Sequence, residues 1–179
     1  SGSPSKWASR LATASWPIAR RASTVKLPTW GVSTTLSSAN SAGVTAGMAM
    51  TGLRATNFSS AQGVAFMHES LYGAVGKRLP YVLNMGCRAI TKASLNVHCS
   101  HDDYHCVDDT GFIQVMAKNA TEAADLNLIG RKIAELSLTP AIIGQDGFLT
   151  THLIESLQVP ERELIAEYLG RPDDIIATP

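Results

Sequence analysis

The sequence predicts an α/β fold: a parallel sheet with helices on both faces. Three observations lead there. Short apolar runs bounded by Gly, Pro and Ser recur along the chain, and segments with helical spacing alternate with them. Strands that alternate with helices pair in parallel, and such a sheet is covered on both sides. Apolar residues make up 45% of the 179 positions, enough for a sizeable core in one compact domain.

Residues 1–36 show no clear periodicity, although Trp7, Trp16 and Trp30 fall there. This stretch is set apart as a divergent basic N-terminal arm, and 37–179 as the domain proper. Ser37 to Met50 is rich in Gly and Ala. Small residues of this kind let a helix approach a sheet or a ligand closely. Leu53 to Phe58 reads as a buried strand and Ser59 to Gly63 as a turn. Val64 to Val75 reads as one helix, with Phe66, Met67, Leu71, Ala74 and Val75 near helical spacing. Pro80 stops it. Tyr81 to Met85 and Gly111 to Ala117 are the next two strands.

Asn119 with Glu122 three residues on is a capping-box pattern with Asn as the cap. Leu126, Ile129, Ile133 and Leu136 then form one apolar stripe. Pro140 precedes a fourth strand, Ala141 to Gly144. Pro160 opens a last helix, Glu161 to Leu169, with acids in its first turn facing the positive end of the dipole. Gly170 caps it and Pro172 blocks its continuation. In a parallel sheet, ligands bind beyond the C-terminal ends of the strands, so the loops after Phe58, Met85 and Gly144 are the candidate site.

Fifteen basic and fifteen acidic residues balance, so no global charge draws the chain to nucleic acid or to a membrane surface. No apolar stretch reaches the roughly 18 residues of a membrane span. The charge is unevenly spread: the first acid is Glu69, after six bases. A basic, Ser/Ala-rich opening has the composition of an organellar transit segment, or of an arm lying on a partner. Cys87, Cys99 and Cys106 form no CxxC pair, which argues against an iron–sulfur or zinc-ribbon site. Free thiols fit a reducing intracellular compartment, either cytoplasm or an organelle matrix.

Three loops carry a family resemblance. Phe58-Ser-Ser-Ala-Gln-Gly63 resembles a Thr-Ala-Ser-Gln-Gly loop. Gly86-Cys-Arg-Ala89, then Asn96-Val-His-Cys-Ser-His-Asp-Asp103 and Asp109-Thr-Gly-Phe112, resembles Ala-Arg-Ala followed by His-Asp-Asp and Gln-Thr-Gly. Gln145-Asp-Gly-Phe-Leu-Thr-Thr-His152 resembles Asp-Gly-Phe-x-Thr-Ser-His. Together, in order and at strand ends, these motifs resemble the N-terminal, pyrimidine-side domain of the pyruvate and 2-oxoacid:ferredoxin (acceptor) oxidoreductases.

The resemblance implies a thiamine diphosphate-binding-like fold that shares this cofactor and its Mg²⁺ with a diphosphate-binding partner domain. It also implies oxidative decarboxylation of a 2-oxoacid in a larger assembly whose iron–sulfur clusters lie on other domains or subunits. The chain alone is then expected to be inactive. Arg88 matches the arginine that holds the substrate carboxylate, a role suited to its planar two-point donors. A pair with Asp102, Asp103 or Asp109 is the other reading of Arg88. His101 and Asp102 match substrate-side positions of the second loop. Ser59, Ser60 and Gln62 match the cofactor-side turn.

Ser38 falls where the family has the Glu that activates the pyrimidine ring, and a hydroxyl cannot replace a carboxylate in that proton relay. Trp16-Pro17-Ile18-Ala19 echoes the family's opening segment without its hydroxyl. These departures keep a second reading open: a catalytically degenerate relative serving as a structural or accessory subunit. His98, His101 and His105 have spacing that one helix face could use for zinc, but they fall in a loop that the family uses without metal, and no metal site is assigned. Asp146 and His152 lack the G-x-S-x-G elbow of a hydrolase. Asp146-Gly147 reads instead as the turn after a strand.

Overall fold

The computed structural model describes residues 38–90 and 100–179, with side chains from Ser41 onward. The three tryptophans, Ala19, the N-terminal arm, His98, Cys99 and the Ser38 side chain therefore lie outside the described residues. The elements are α1 (Ser38–Met50), β1 (Thr56–Ser59), α2 (Gln62–Phe66), α3 (His68–Gly76) and β2 (Val82–Cys87). Then follow α4 (Asp102–His105), a 3-10 turn (Asp108–Thr110), β3 (Ile113–Ala117), α5 (Ala120–Ser137), β4 (Ala141–Asp146) and α6 (Arg162–Leu169). All four strands pair in parallel, in the order β1-β2-β4-β3.

Side chains alternate across each strand, so each face has its own cover. Leu83, Met85 and Cys87 of β2, with Ile142 of β4, join Ala42 and Ala49 of α1, Val64 of α2, and Leu71 and Ala74 of α3 in the core. The opposite face carries Ala141 and Ile143, which meet α5 at Gly130. A Cβ on Gly130 would stand 2.6 Å from Ile143 Cδ1, so a larger residue would have to turn the end of that side chain aside for the helix to come this close to the sheet.

Two expectations change. The helix expected over Val64 to Val75 is two helices that meet at Met67, whose N–H reaches the carbonyls of both Gly63 and Val64. The break turns Met67, Leu71 and Ala74 inward and leaves Phe66 77% exposed. The second change concerns α5. Its Asn119 cap forms as expected, with Glu122 N–H donating to Asn119 Oδ1 at 2.8 Å, while Glu122 Oε2 takes the Lys118 N–H rather than that of Asn119. Its buried line, however, is Ala123, Gly130, Arg131 and Ala134. Ile129, Ile133 and Leu136 are exposed. At 3.6 residues per turn, the stripe lies about 120° round the helix from that line. Close packing selects small residues for the contact, and the large apolar ones go to the flank.

At the amino ends of the strands, Arg54 pairs with Glu135 through two bonds of 2.8 and 3.0 Å, and its Nη2 donates to the Leu169 carbonyl that ends α6. Arg131, buried beside them, donates to the Ala55 carbonyl and Thr56 Oγ1. Desolvation lowers its guanidinium to about 10, against the pull of Glu135. This cluster ties β1, α5 and α6 together. Among the described residues, no helix is long and apolar enough to cross a membrane.

Candidate functional site

At the carboxyl ends of β1, β2 and β4 lies an open cleft of about 450 Å³, lined by Ser59, Ser60, Asn84, Arg88, Gln145 and Thr151, with Phe58 at its side. A size of this order suits a small organic ligand. Gly86 and Gly147 complete the lining. Gly147 is required there: its Cβ would stand 2.3 Å from the Cys87 carbonyl oxygen and 2.7 Å from Arg88 Cγ. Its own N–H donates to that same carbonyl at 2.9 Å. The turn after β4 is thereby pressed against the end of β2 and closes one wall.

Arg88 is exposed, and its Nη2 donates to Ser60 Oγ at 2.8 Å. Among the described residues, no carboxylate pairs with the guanidinium. Asp103 bonds the Arg88 backbone N–H instead, so the internal pair weighed above forms with the main chain and not with the side chain. Burial pushes the Asp103 carboxyl above the usual carboxylate range, and the amides of Ala61, Arg88 and Tyr104 oppose that rise. Burial, with Asp103 adding to it, pushes the neighbouring Cys87 thiol up to about 12, so this cysteine is not a nucleophile at neutral pH.

His101 Nε2 lies 3.2 Å from Asp146 Oδ2, and Asp146 Oδ1 accepts the Phe148 and Leu149 amides. Burial acts to raise the Asp146 carboxyl, but the Leu149 and Phe148 amides and His101 outweigh it and hold it below the usual range. Asp146 therefore builds the turn after β4, and its ring partner is His101. His152 stacks on Phe148 at 5.2 Å. Tyr104, at the start of α4, packs on Gly144, where a Cβ would stand 2.7 Å from the ring. His105 pairs with Asp108 at 3.1 Å. Among the described residues, no three His, Cys, Asp or Glu side chains converge on one point as a metal would require.

The structure thus brings Ser59, Ser60 and Arg88 together in the cleft. Gln62 is exposed at the start of α2, Asp102 starts α4, and His101 is joined to the rim through Asp146. The backbone of Ser38 starts α1. Sequence reading missed Asn84, Gln145, Thr151 and the organising part of Asp103. Asn84 occupies a strand position with no distinctive local pattern, while Gln145 and Thr151 stood within the Gln145–His152 motif without being singled out. Asp103 stood in view beside Asp102, and only the register of a four-residue helix decides which of the two turns inward.

The lining carries hydroxyls, amides, a guanidinium and one exposed aromatic ring. That set is compatible with a flat heterocycle with polar edges, as thiamine diphosphate has. The model of the family described as pyruvate flavodoxin/ferredoxin oxidoreductase, thiamine diphosphate-binding, matches residues 23–175. The pyruvate synthase subunit PorA of Pyrococcus furiosus is 41% identical over 126 residues, 69% of this chain and 32% of the relative. PorA of Methanocaldococcus jannaschii is 38% identical over 126 residues, with the same coverage of both. The pyruvate-flavodoxin oxidoreductase of Klebsiella pneumoniae is 32% identical over 136 residues, 76% of this chain and 12% of the relative. The chain spans about a third of the length of the PorA relatives it matches. With the parallel sheet, the cleft at its carboxyl ends and a family match that covers most of its length, the chain belongs to the thiamine diphosphate-binding family of the pyruvate flavodoxin/ferredoxin oxidoreductases.

Proposed function

We propose that this chain is the pyrimidine-side part of a 2-oxoacid:acceptor oxidoreductase, and that Arg88 receives the carboxylate of the 2-oxoacid. The observation that carries this reading is the Arg88 guanidinium: it opens on the cleft, Ser60 Oγ steadies it, and no acid among the described residues neutralises it. A guanidinium so placed offers paired donors to an incoming carboxylate. Ser59, Ser60 and Gln62 would meet the cofactor, with Ser38 near its ring. His101 and Asp102 would bound the substrate side. Thiamine diphosphate with Mg²⁺ would supply the decarboxylation chemistry. A diphosphate-binding partner would complete its site, and iron–sulfur domains of the same intracellular assembly would carry electrons away.

A second reading has its own observation. None of the residues lining the cleft is a carboxylate, and the position of the family Glu is Ser38. A proton relay at the ring is worth about 10²–10⁴ in rate. Without it, the domain would serve as an accessory subunit.

One experiment separates the two. The purified chain is titrated with pyruvate, and then with thiamine diphosphate and Mg²⁺, by calorimetry, alone and in its assembly. Saturable pyruvate binding that Arg88→Ala abolishes supports the enzyme reading. An assembly that binds neither ligand supports the accessory one. Pyruvate-dependent dye reduction by the chain alone would contradict both, since each requires partners.

A further inference from the structure

Asp103 has none of its surface exposed. Among the described residues, no cation pairs with it, and its charge is met by the main chain. Ala61 N–H donates to Oδ2 at 2.6 Å, Arg88 N–H to both oxygens at 3.0 Å, and Tyr104 N–H to Oδ1 at 2.8 Å. The Asp103 N–H donates in turn to the Arg88 carbonyl at 3.3 Å. The Ala61 amide belongs to the loop after β1 and the Arg88 amide to the loop after β2. Ala61 adopts φ 47° and ψ −126°, a strained conformation for a residue with a Cβ that persists only when its surroundings hold it. The residue before it is Ser60, whose hydroxyl accepts from the Arg88 guanidinium. A single buried carboxylate thus grips the backbones of both loops, and a side-chain bond from Arg88 to Ser60 joins the same two loops.

We propose that Asp103 is the positioning residue of the cleft, setting the Ser60 hydroxyl and the Arg88 guanidinium at the separation at which they receive a 2-oxoacid carboxylate. This rests on the carboxylate-binding reading of Arg88. Asp103 touches no ligand itself. Its two oxygens can accept several bonds when ionised, whereas an asparagine keeps one oxygen and presents an NH₂ to the amides that oxygen served. Because the Arg88 amide bonds both oxygens, Asp103→Asn preserves shape yet in either orientation turns an NH₂ against the Arg88 amide and takes the acceptor from Ala61 or from Tyr104.

The test is NMR spectroscopy of the full chain with pyruvate as the probe, read at the Arg88 Nε–H, together with hydrogen exchange at the Ala61 and Arg88 amides. In Asp103→Asn, protection at one or both amides should fall, and pyruvate binding by the folded chain should weaken by about tenfold or more, as for lost supporting contacts elsewhere. In a Ser60→Ala background, the same change should weaken pyruvate binding by much less than tenfold, because both act through one geometry. A purely structural aspartate would lower stability yet leave the pyruvate affinity of folded molecules unchanged, and that result overturns the proposal, as does full additivity with Ser60→Ala. If Asp103→Asn does not fold, Ala61→Gly is added. Glycine takes this backbone conformation without strain, so the fold should return with pyruvate binding still weak, and restored binding would refute the proposal. A wild-type chain that gives no pyruvate response defeats the reading of Arg88 instead. Amide protection then decides the grip on the two loops alone: unchanged protection in Asp103→Asn, or a fall spread over the whole chain, ends it, and a fall confined to the Ala61 and Arg88 amides upholds it.

Discussion

At the amino ends of the strands, Arg54, Arg131 and Glu135 close on one another and on the carbonyls of Ala55 and Leu169. At the carboxyl ends, among the described residues, Asp103 is buried without a cation, and Arg88 stands in the cleft without an acid, its guanidinium joined to Ser60. Both ends hold charge in loops and helix ends around the same four strands. One sets Arg54 on Glu135 and gives buried Arg131 a carbonyl and a hydroxyl beside that acid, whereas the other keeps a carboxylate on backbone amides and leaves a guanidinium facing open space. Matched charge holds elements together. Unmatched charge at the mouth of a cleft is available to a ligand. Four substitutions sharpen or break this contrast, in descending order of their effect on stability.

Removing the acid at the amino end has the largest effect. Glu135→Ala leaves Arg54 without its anion in a largely buried site and withdraws the negative charge near Arg131, and loss of one partner in such a site costs about 3–5 kcal/mol. Urea denaturation should show a fall of that size. A loss below 1 kcal/mol would mean that the cluster is effectively solvated and that the two ends do not differ.

Gly147→Ala is next. The new methyl meets the Cys87 carbonyl at 2.3 Å and Arg88 Cγ at 2.7 Å, and overpacking of this kind costs about 1–3 kcal/mol. The strain falls on the cleft, so chemical shifts at Arg88 should move more than those at Arg131. Equal movement at both would dissolve the distinction between the ends.

Asp146→Ala removes three bonds from the turn after β4 and should cost about 1–2 kcal/mol at neutral pH. The folded Asp146 carboxyl lies below its unfolded value of 3.8. Its stabilisation is therefore complete above that value and is lost as pH falls through the folded one. The gap between wild type and variant, measured by urea denaturation at several pH values, should be constant from about pH 5 to 7 and shrink below pH 4. A gap that widened in acid would reverse the sign of the shift.

How far the sequence carried this picture can be read from particular residues. The central strands β2 and β4 were legible because buried parallel strands are continuous apolar runs, whereas β1, expected as a buried strand over Leu53 to Phe58, is an edge strand over Thr56–Ser59 with Leu53 and Phe58 exposed. The Asn119 cap was legible because its geometry depends on two side chains three residues apart. The place of Arg88 and Ser60 at the cleft was legible because their loops follow strands. The facing of α5 was not. The periodicity of Ile129, Ile133 and Leu136 is real, but the helix side that meets the sheet is chosen by closeness of approach at Gly130, and that is a tertiary fact. The grip of Asp103 on Ala61 and Arg88 was hidden for a similar reason, since it spans loops 42 and 15 residues apart in sequence.

The smallest effect on stability belongs to Arg88→Ala, and it is the sharpest test of the contrast. Arg88 is exposed, its one described side-chain bond is to a hydroxyl, and no acid among the described residues depends on it. Its removal strands no buried charge, because Asp103 holds the Arg88 backbone N–H, which alanine retains. Surface changes of this kind stay within about 0.5 kcal/mol. Glu135→Ala removes one charge too, yet should cost several times more, because there the partners are buried. If urea denaturation showed Arg88→Ala to cost 2 kcal/mol or more, the guanidinium would have an internal structural role and the cleft would hold no spare charge for a ligand. If stability is unchanged while the calorimetric response to pyruvate disappears, the Arg88 side chain serves the ligand and not the fold.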